Sequence, residues 1–266
     1  MRRLILTALA TCALMVTALV GSAGAITDGE LDGNGHPYVG IMIAKDAAGT
    51  PMWRCSGTLL SATLFLTAGH CTEAPAAKVE IWFYDNESQI RGNGYPHTGQ
   101  VSGTPHVHPD YDPSAFYLRD LGAVVLDTPF PMAEYGKLPQ LNELERMANR
   151  RGQQDVTFTA VGYGLQRINP AFVEARLDRM VASPKLNQIN TGLVGDFSLL
   201  LSNNASTGGT CFGDSGGPNF IGTSNVVGGV TSFGLNGTCG GTGGVFRMDR
   251  SWSLDWITST FAAHLP

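Results

Sequence analysis

Short runs of β-branched and aromatic residues, each ended by Gly, Pro, Asn or Asp, recur along almost the whole chain. Glycine accounts for 34 of the 266 residues, so the breaks between runs are closely spaced. This spacing is typical of antiparallel sandwiches and barrels and does not match alternating strand and helix units. We therefore predict an all-β fold. The runs are 38–44, 57–67, 79–84, 121–126, 156–162, 226–233 and 244–248.

Three further segments organise the chain. Residues 141–151 look helical, but the segment is short and charged, and we expect a solvated surface turn there. Residues 252–264 carry apolar side chains at near-helical spacing, which predicts a C-terminal helix laid on the core. The Pro- and Gly-bearing region 129–139 is interpreted as a linker. We expect one lobe over 26–137 and a second, ending in the helix, over 138–266.

The first 25 residues have the organisation of a secretory signal peptide. Arg2 and Arg3 form a positive start, residues 4–20 are mostly apolar, and Ala23-Gly24-Ala25 is a small-residue cleavage site. A membrane anchor is the alternative, but threonines and a cysteine dilute the apolar stretch. No other segment approaches the roughly 20 apolar residues of a spanning helix. We predict removal of residues 1–25 and secretion of a product that does not bind membranes.

Removal of that segment takes Cys12 with it and leaves four cysteines. An even number in an exported chain indicates two disulfides. Three connectivities are possible, and the local pairs Cys55–Cys71 and Cys211–Cys239 are the simplest. Closing a loop of about 15 residues contributes roughly 3 kcal/mol in the chain-entropy model. A four-cysteine zinc site is the alternative, but it usually needs close Cys-x-x-Cys pairs, which are absent from this sequence.

The segment Gly213-Asp214-Ser215-Gly216-Gly217-Pro218 places a serine among glycines. Glycines let the backbone turn tightly, so that the hydroxyl projects and N–H groups are presented. A serine nucleophile needs a base, and the base needs an orienting group. His70, at the end of a predicted strand, is the candidate base. Asp120, at the start of another predicted strand, is the candidate orienting group. Singly, each residue is typical of an ordinary turn or packing position, but together, in the order His, Asp, Ser, they favour catalysis.

These segments resemble the chymotrypsin/trypsin family of serine proteases over almost all of residues 26–266. Thr67-Ala68-Gly69-His70-Cys71 is similar to the family's histidine motif, and residues 213–218 are similar to its serine motif. The resemblance implies two six-stranded antiparallel β-barrels with the triad in the cleft between them. Other segments similar to the family pattern are His108-Pro109-Asp110-Tyr111, Arg119-Asp120-Leu121, Gly162-Tyr163-Gly164, Ser232-Phe233-Gly234 and Leu254-Asp255-Trp256-Ile257.

The resemblance also implies a mechanism through an acyl-enzyme. His70 would take the proton of Ser215, and Asp120 would hold the imidazole tautomer. The backbone N–H groups of Gly213 and Ser215 would form the oxyanion hole. Ser232 either supports Asp120 and the substrate backbone or is an ordinary strand serine.

Ile26-Thr27-Asp28-Gly29 resembles the family's Ile-Val-Gly-Gly start, with Thr and Asp as departures. The resemblance implies that the freed amino group of Ile26 pairs with Asp214, since an unpaired buried carboxylate is costly. The expected cleavage after Ala25 coincides with the family's activation position. We therefore expect export itself to mature the enzyme.

The resemblance assigns a primary specificity pocket whose base is Gly209, six residues before the nucleophile, where no acid stands. A preference for Lys or Arg is therefore not expected, and an open, uncharged pocket predicts cleavage after apolar or aromatic residues. A positively charged pocket is the alternative, because a one-residue shift in this glycine-rich stretch would bring the charge of Arg247 near it. The substrate-binding residues assigned in this way are Gly209, Thr210, Phe212, Ser232, Phe233, Gly234 and Gly244.

The remaining expectations concern partners. A formal net charge of −5 without a Lys/Arg run argues against nucleic acid, and protein or peptide substrates follow from the resemblance. Asp85-Asn86-Glu87 could form a calcium loop, but we expect a solvated turn, no metal and no cofactor. We expect a monomer. The alternative functions are a catalytically inactive homologue acting as a binding module and an esterase using the same acyl-transfer chemistry.

Overall fold

A computed structural model describes residues 26–115, 117–148, 156–169, 171–190 and 192–266. The predicted signal peptide and residues 149–151 of the predicted surface turn lie outside these ranges. Within them, no helix is both long and apolar enough to cross a membrane. The regular secondary structure of the described residues is mostly β-strand, as the sequence predicts.

Sixteen strands run through the described ranges, most of them three to nine residues long. The strands are β1 (Glu30–Leu31), β2 (Val39–Lys45), β3 (Pro51–Leu59), β4 (Leu64–Thr67), β5 (Lys78–Trp82), β6 (Val101–Val107), β7 (Gly122–Leu126), β8 (Phe158–Gly162), β9 (Arg167–Asn169), β10 (Phe172–Glu174), β11 (Met180–Ala182), β12 (Leu186–Ile189), β13 (Ser198–Asn203), β14 (Pro218–Ile221), β15 (Val227–Gly234) and β16 (Gly241–Arg247). The helices are α1 (Gly69–Thr72), α2 (Glu87–Gly92), α3 (Glu145–Ala148) and α4 (Ser251–Thr260), with 3-10 turns at Pro113–Ala115, Gly192–Val194 and Ala262–His264.

Strands β2 to β7 form a closed antiparallel barrel in the order β2-β3-β4-β7-β6-β5. Closure leaves no free edge, so every strand's backbone groups have partners on both sides. Small barrels of this kind are filled by side chains, and here Phe65 and Ile81 are fully buried. This first barrel carries His70 directly after β4 and Asp120 directly before β7.

The second lobe is an eight-stranded sheet in the order β1-β11-β8-β14-β15-β16-β13-β12. An isolated antiparallel bridge between Thr157 and Lys185 brings β12 back beside the start of β8. Six strands, β8, β14, β15, β16, β13 and β12, therefore curl into the second barrel-like lobe. Its core includes Phe158, Leu199 and Val245. Strand β1 joins the edge of this sheet through β11.

Helix α4 begins one residue before the predicted apolar segment and joins the two lobes. Ile257 and Phe261 are buried, and Trp256 packs edge-on against Phe261 with a ring separation of 5.3 Å. The helix also contacts the first lobe, because His108 Nε2 lies 3.2 Å from the carbonyl oxygen of Trp252. The segment leading to the predicted catalytic aspartate is thereby held against the C-terminal helix.

Two expected turns differ from the structure. Asn86 caps α2 through a hydrogen bond from the Gln89 N–H, so a helix starts where a turn was predicted. Residues 145–148 form α3, and the preceding Leu144 is fully buried. The charged character of this segment hid its structural role, since Glu145 pairs with the buried Arg247.

Candidate active site

A cavity of 530 Å³ lies between the two lobes and receives most of the predicted site residues. The first lobe contributes one wall and the second lobe the other. The first-lobe lining is His70, Glu73, Tyr111 and Pro113, and the second-lobe lining is Thr210, Cys211, Phe212, Ser215, Thr231, Ser232, Phe233, Gly234 and Cys239. Two of the three predicted triad residues, His70 and Ser215, therefore face the same space although 145 positions separate them in the chain.

Both disulfides expected from the sequence are present, and one lies in each lobe. Cys55 pairs with Cys71 and Cys211 pairs with Cys239. The first joins β3 to α1 and so fixes the helix that carries His70. The sulfur atoms of Cys55 and Cys71 lie near the His70 ring, but as a disulfide they are not thiolate ligands for a metal.

Asp120 is fully buried directly behind His70. Its Oδ2 lies 2.9 Å from His70 Nδ1, and its Oδ1 accepts the backbone N–H of His70 at 2.9 Å. The hydroxyl of Ser232 donates to Asp120 Oδ2 at 2.5 Å. Three hydrogen bonds thus hold the carboxylate, and two of them also set the position of the imidazole. Charge-assisted bonds of this kind are among the strongest in proteins.

The surroundings of His70 alter its proton affinity. Burial of the ring disfavours the charged imidazolium, but the charge and hydrogen bond of Asp120, together with the charge of Glu73, outweigh burial and raise the pKa of His70. A raised pKa makes the imidazole a stronger proton acceptor, which suits a general base.

The loop around Ser215 needs glycine at two positions and is hydrogen-bonded to both lobes. Gly213 and Gly216 have φ values of +98° and +77°, where a side chain is disfavoured. From β3, Ser56 donates its N–H to the Ser215 carbonyl at 2.8 Å and its hydroxyl to the Gly213 carbonyl at 2.9 Å. Gly216 N–H donates to the Thr231 carbonyl on β15 at 2.7 Å.

Asp214, next to the nucleophile, is buried and turned into the second lobe. Its carboxylate accepts the N–H groups of Gly164 at 2.7 Å and Cys211 at 2.8 Å. A Cβ atom at Gly162 or Gly164 would lie 2.3 or 2.4 Å from this carboxylate, which explains why both positions are glycine. Burial raises the pKa of Asp214 to about 7, although both backbone hydrogen bonds and the charge of Arg54 lower it. Within the described ranges no ion pair reaches the carboxylate.

Ile26 is fully buried in a small apolar cluster with Ala160, Met180 and Ala182. Ala160 is two residues before Gly162 on β8, and alternate residues of a strand share a face about 7 Å apart. Asp214 covers Gly162 on that strand. Ile26 and the Asp214 carboxylate therefore pack against neighbouring residues of β8, Ile26 near Ala160 and Asp214 over Gly162.

The residues predicted to bind substrate separate into two groups. Those that line the cavity are Thr210, Phe212, Ser232, Phe233 and Gly234. Gly209 and Gly244 are not among the described lining residues. A Cβ at Gly209 would meet Asn203 at 2.3 Å, and one at Gly244 would meet the Phe233 ring at 2.3 Å.

Gly243 is the residue of this stretch that faces Thr210, with its ideal Cβ position 2.9 Å from Thr210 Oγ1. Strand β16 pairs with β15 so that Gly243 lies opposite Gly234 and Gly244 lies opposite Phe233, which residue counting could not reveal. Arg247 points away into the protein. It is fully buried and pairs with Asp249 at 2.8 Å and Glu145 at 2.9 Å, so its charge does not enter the cavity.

Glu73 and Tyr111 are site residues that sequence reasoning did not single out. Both line the cavity beside His70. Burial raises the pKa of Glu73, the charge of His70 lowers it, the charge of Asp120 raises it, and the Tyr111 hydroxyl lowers it, with a net increase. The only local signal was the position of Glu73, three residues after His70 in the sequence.

Comparison with known proteins agrees with this geometry. The family model described as Trypsin matches residues 30–257. The chain is 28% identical to a chymotrypsin of Phaedon cochleariae over 231 residues, covering 83% of this chain and 76% of that protein. It is 24% identical to the venom serine protease Bi-VSP of Bombus ignitus, covering 82% of this chain but only 62% of the bee protein's length.

Two solved structures share the fold. HL collagenase superposes with a TM-score of 0.68 at 20% identity, covering 89% of this chain and 99% of that one. Human heparin binding protein superposes with a TM-score of 0.61 at 20% identity, covering 85% of this chain and 92% of that one. At these identities the likeness establishes the architecture alone.

Proposed function

The chain belongs to the trypsin family of serine proteases, and we propose that it is an active, exported endopeptidase that uses His70, Asp120 and Ser215. The observation that carries the proposal is the arrangement of the imidazole. Its Nδ1 is held 2.9 Å from the buried carboxylate of Asp120 while its ring lines the cavity shared with Ser215. In this arrangement the second ring nitrogen is left to accept a proton from the nucleophile.

The proposed reaction follows from these contacts. Ser215 Oγ attacks the scissile carbonyl carbon as its proton passes to His70, giving a tetrahedral intermediate. Its collapse breaks the peptide bond as His70 returns the proton to the leaving amine. Water, activated by the same imidazole, then hydrolyses the acyl-enzyme. Asp120 stays ionised throughout and stabilises the imidazolium.

We assign the oxyanion hole to the N–H groups of Gly213 and Ser215. Among the described residues neither N–H has a hydrogen-bond acceptor, whereas the neighbouring N–H groups of Asp214, Gly216 and Gly217 all donate to backbone carbonyls. Two free donors on a loop fixed by Ser56 are preorganised for a developing negative charge. Removing one such donor in comparable enzymes costs about 10²–10³ in kcat.

We propose that the substrate residue before the scissile bond (P1) is apolar or aromatic. The second-lobe wall of the cavity is uncharged, and Thr210, Phe212 and Gly234 lie on it. Arg247 is held elsewhere by its ion pairs. Peptide substrates that differ only at P1 test this assignment: Phe, Leu and Lys at P1 should be hydrolysed with Lys slowest, and fastest turnover of Lys would contradict it.

We propose that cleavage after Ala25 frees the Ile26 amino group to pair with Asp214. The proximity of Ile26 to the Asp214 carboxylate on β8 supports this step, and so does the absence of an ion pair to that carboxylate within the described ranges. N-terminal sequencing of the secreted protein tests it, since a start other than Ile26 would refute it.

The remaining features are proposed together. We infer a monomeric secreted protein with lobes over 26–137 and 138–266. The boundary is supported by the backbone pairing of Lys137 with Val226, at which the connecting segment reaches the second lobe.

The decisive experiment is covalent labelling by a fluorophosphonate, which reacts with activated serines. The wild-type protein should be labelled and should cleave casein, while Ser215→Ala should do neither. An inactive homologue serving as a binding module would show neither property in the wild type. An esterase would be labelled without cleaving peptides.

A further inference from the structure

The first-lobe wall of the cavity carries an acidic side chain that the proposed chemistry does not use. Glu73 lines the cavity together with His70, Tyr111 and Pro113. Among the described lining residues, Glu73 is the only acid, and none is Lys or Arg. A single unneutralised charge in a substrate cavity acts on whichever substrate side chain faces it.

Glu73 is held in place by its surroundings. It follows α1 directly, and Cys71 of that helix is tied to β3 by a disulfide. Tyr111 lies on the same wall of the cavity, where its hydroxyl and the Glu73 carboxylate influence each other's pKa. The carboxylate is close enough to His70 for its charge to act on the imidazole. A preorganised acidic group loses less side-chain entropy on binding a cation than a mobile one.

Other charges near this wall have the same sign. Asp110 and Asp112 are exposed on the segment that carries Tyr111, and the charges of both Glu73 and Asp112 act on the Tyr111 hydroxyl. Asp120 is negative but is already paired with His70. The first-lobe wall therefore presents a negative potential to the cavity, and such potentials attract and orient cationic groups.

The direction of substrate side chains follows from strand geometry. An extended peptide pairing with the Ser232–Gly234 end of β15 would point successive side chains to opposite sides. A P1 side chain directed into the second-lobe wall leaves the P2 side chain, one residue earlier, facing the first-lobe wall. That wall is the one formed by His70, Glu73 and Tyr111.

We propose that Glu73 is a specificity-determining residue that selects Lys or Arg at P2, so that the preferred substrates carry a cationic residue immediately before an apolar P1 residue. This inference rests on the proposed endopeptidase function. Glu73 makes the ion pair with the substrate, and Tyr111 orients the carboxylate.

The test uses three peptide amides that share Phe at P1 and differ at P2, which is Lys, norleucine or Glu. For the wild type we expect kcat/KM to be about five to ten times higher with Lys than with norleucine, and lowest with Glu. Glu73→Gln should bring the Lys-to-norleucine ratio close to 1, and Glu73→Lys should make Glu the best P2 residue. The wild-type ratio should also fall in 0.5 M salt, because salt screens exposed ion pairs.

Glu30→Gln is the matched control, because it removes the same charge from an exposed residue of β1 outside the cavity. It should retain the wild-type ratio. Equal wild-type rates on all three peptides, or a Lys preference that survives in Glu73→Gln, would overturn the inference. The inversion expected for Glu73→Lys cannot result from misfolding. Failure of the proposed function is distinguishable, since the wild type would then cleave none of the three peptides, whether or not it reacts with a fluorophosphonate.

Discussion

The buried carboxylate of Asp214 predicts a pH dependence of stability that differs before and after cleavage at Ala25. In the uncleaved chain the pKa of Asp214 is raised by burial from 3.8 to about 7. The native state then holds the proton more tightly than the unfolded state does. The contribution of Asp214 to the free energy of unfolding is therefore complete below pH 3.8 and is lost as the pH rises through about 7.

The size of the effect follows from the same two values. A difference between 3.8 and about 7 corresponds to roughly 4 kcal/mol of unfolding free energy in total. Of this, about 2.5 kcal/mol is lost between pH 5 and pH 7.5, because protonation of the unfolded carboxyl is already incomplete at pH 5. An amino group paired with the ionised carboxylate would lower its pKa and remove this loss.

The assay compares two forms of the inactive Ser215→Ala protein, one beginning at Ile26 and one retaining Ala25. Urea unfolding of both is measured from pH 5 to pH 7.5, and the difference between their unfolding free energies cancels the other titrating groups. We expect the form with Ala25 to lose about 2.5 kcal/mol relative to the form without it. Introducing Asp214→Asn into both forms should abolish this difference.

Parallel pH curves for the two forms would refute the reasoning. They would mean that the freed amino group of Ile26 does not reach Asp214. A loss of stability with pH in the Ile26 form alone would contradict the sign of the argument.

Three further predictions concern the site and its scaffold. Because the pKa of His70 is raised and the base must be neutral, kcat/KM should fall with decreasing pH at a midpoint above 6.5, measured as a pH–rate profile. Ser232→Ala removes the 2.5 Å bond to Asp120 and should lower kcat about tenfold, since bonds to charged groups contribute about 1.5–3 kcal/mol. Arg179→Met leaves the buried Asp32 without its 2.8 Å ion pair and should cost about 3–5 kcal/mol in urea unfolding.

Each of the three has a control. If the acidic midpoint of the kcat/KM profile lies below pH 6.5, Asp120 does not dominate the pKa of His70. Ser232→Thr keeps a hydroxyl and should restore most of the lost rate, so equal rates for both variants would contradict a role for the hydrogen bond. Lys78→Met breaks an ion pair with Asp127 in which both side chains are exposed, and it should cost at most about 1 kcal/mol.

Several parts of the protein follow from local sequence alone. The alternation of short strands and turns predicts the all-β fold, and strand geometry makes that inference independent of distant contacts. The glycines around Ser215 predict a tight loop, because glycine readily adopts the positive φ found at Gly213 and Gly216. Two disulfides follow from the number of cysteines in an exported chain.

Other features were beyond local inference. The roles of Gly209 and Gly244 were assigned by counting residues, whereas it is Gly243 whose ideal Cβ position lies 2.9 Å from Thr210 Oγ1. The charged segment around Glu145 was expected in solvent, yet it helps to neutralise the buried Arg247. In both cases the outcome depended on a partner far away in the chain.

The sequence by itself therefore determined the chemistry available to this protein: the nucleophile loop, the candidate base and acid, and the strands between them. Only the tertiary structure decided which side chains share the cavity, because the packing of the two lobes brings together His70 and Ser215, which are 145 positions apart in the chain. Glu73 illustrates the difference. Its neighbour His70 is visible in the sequence, but its place on the wall opposite Thr210 and Phe212 depends on how the two lobes pack.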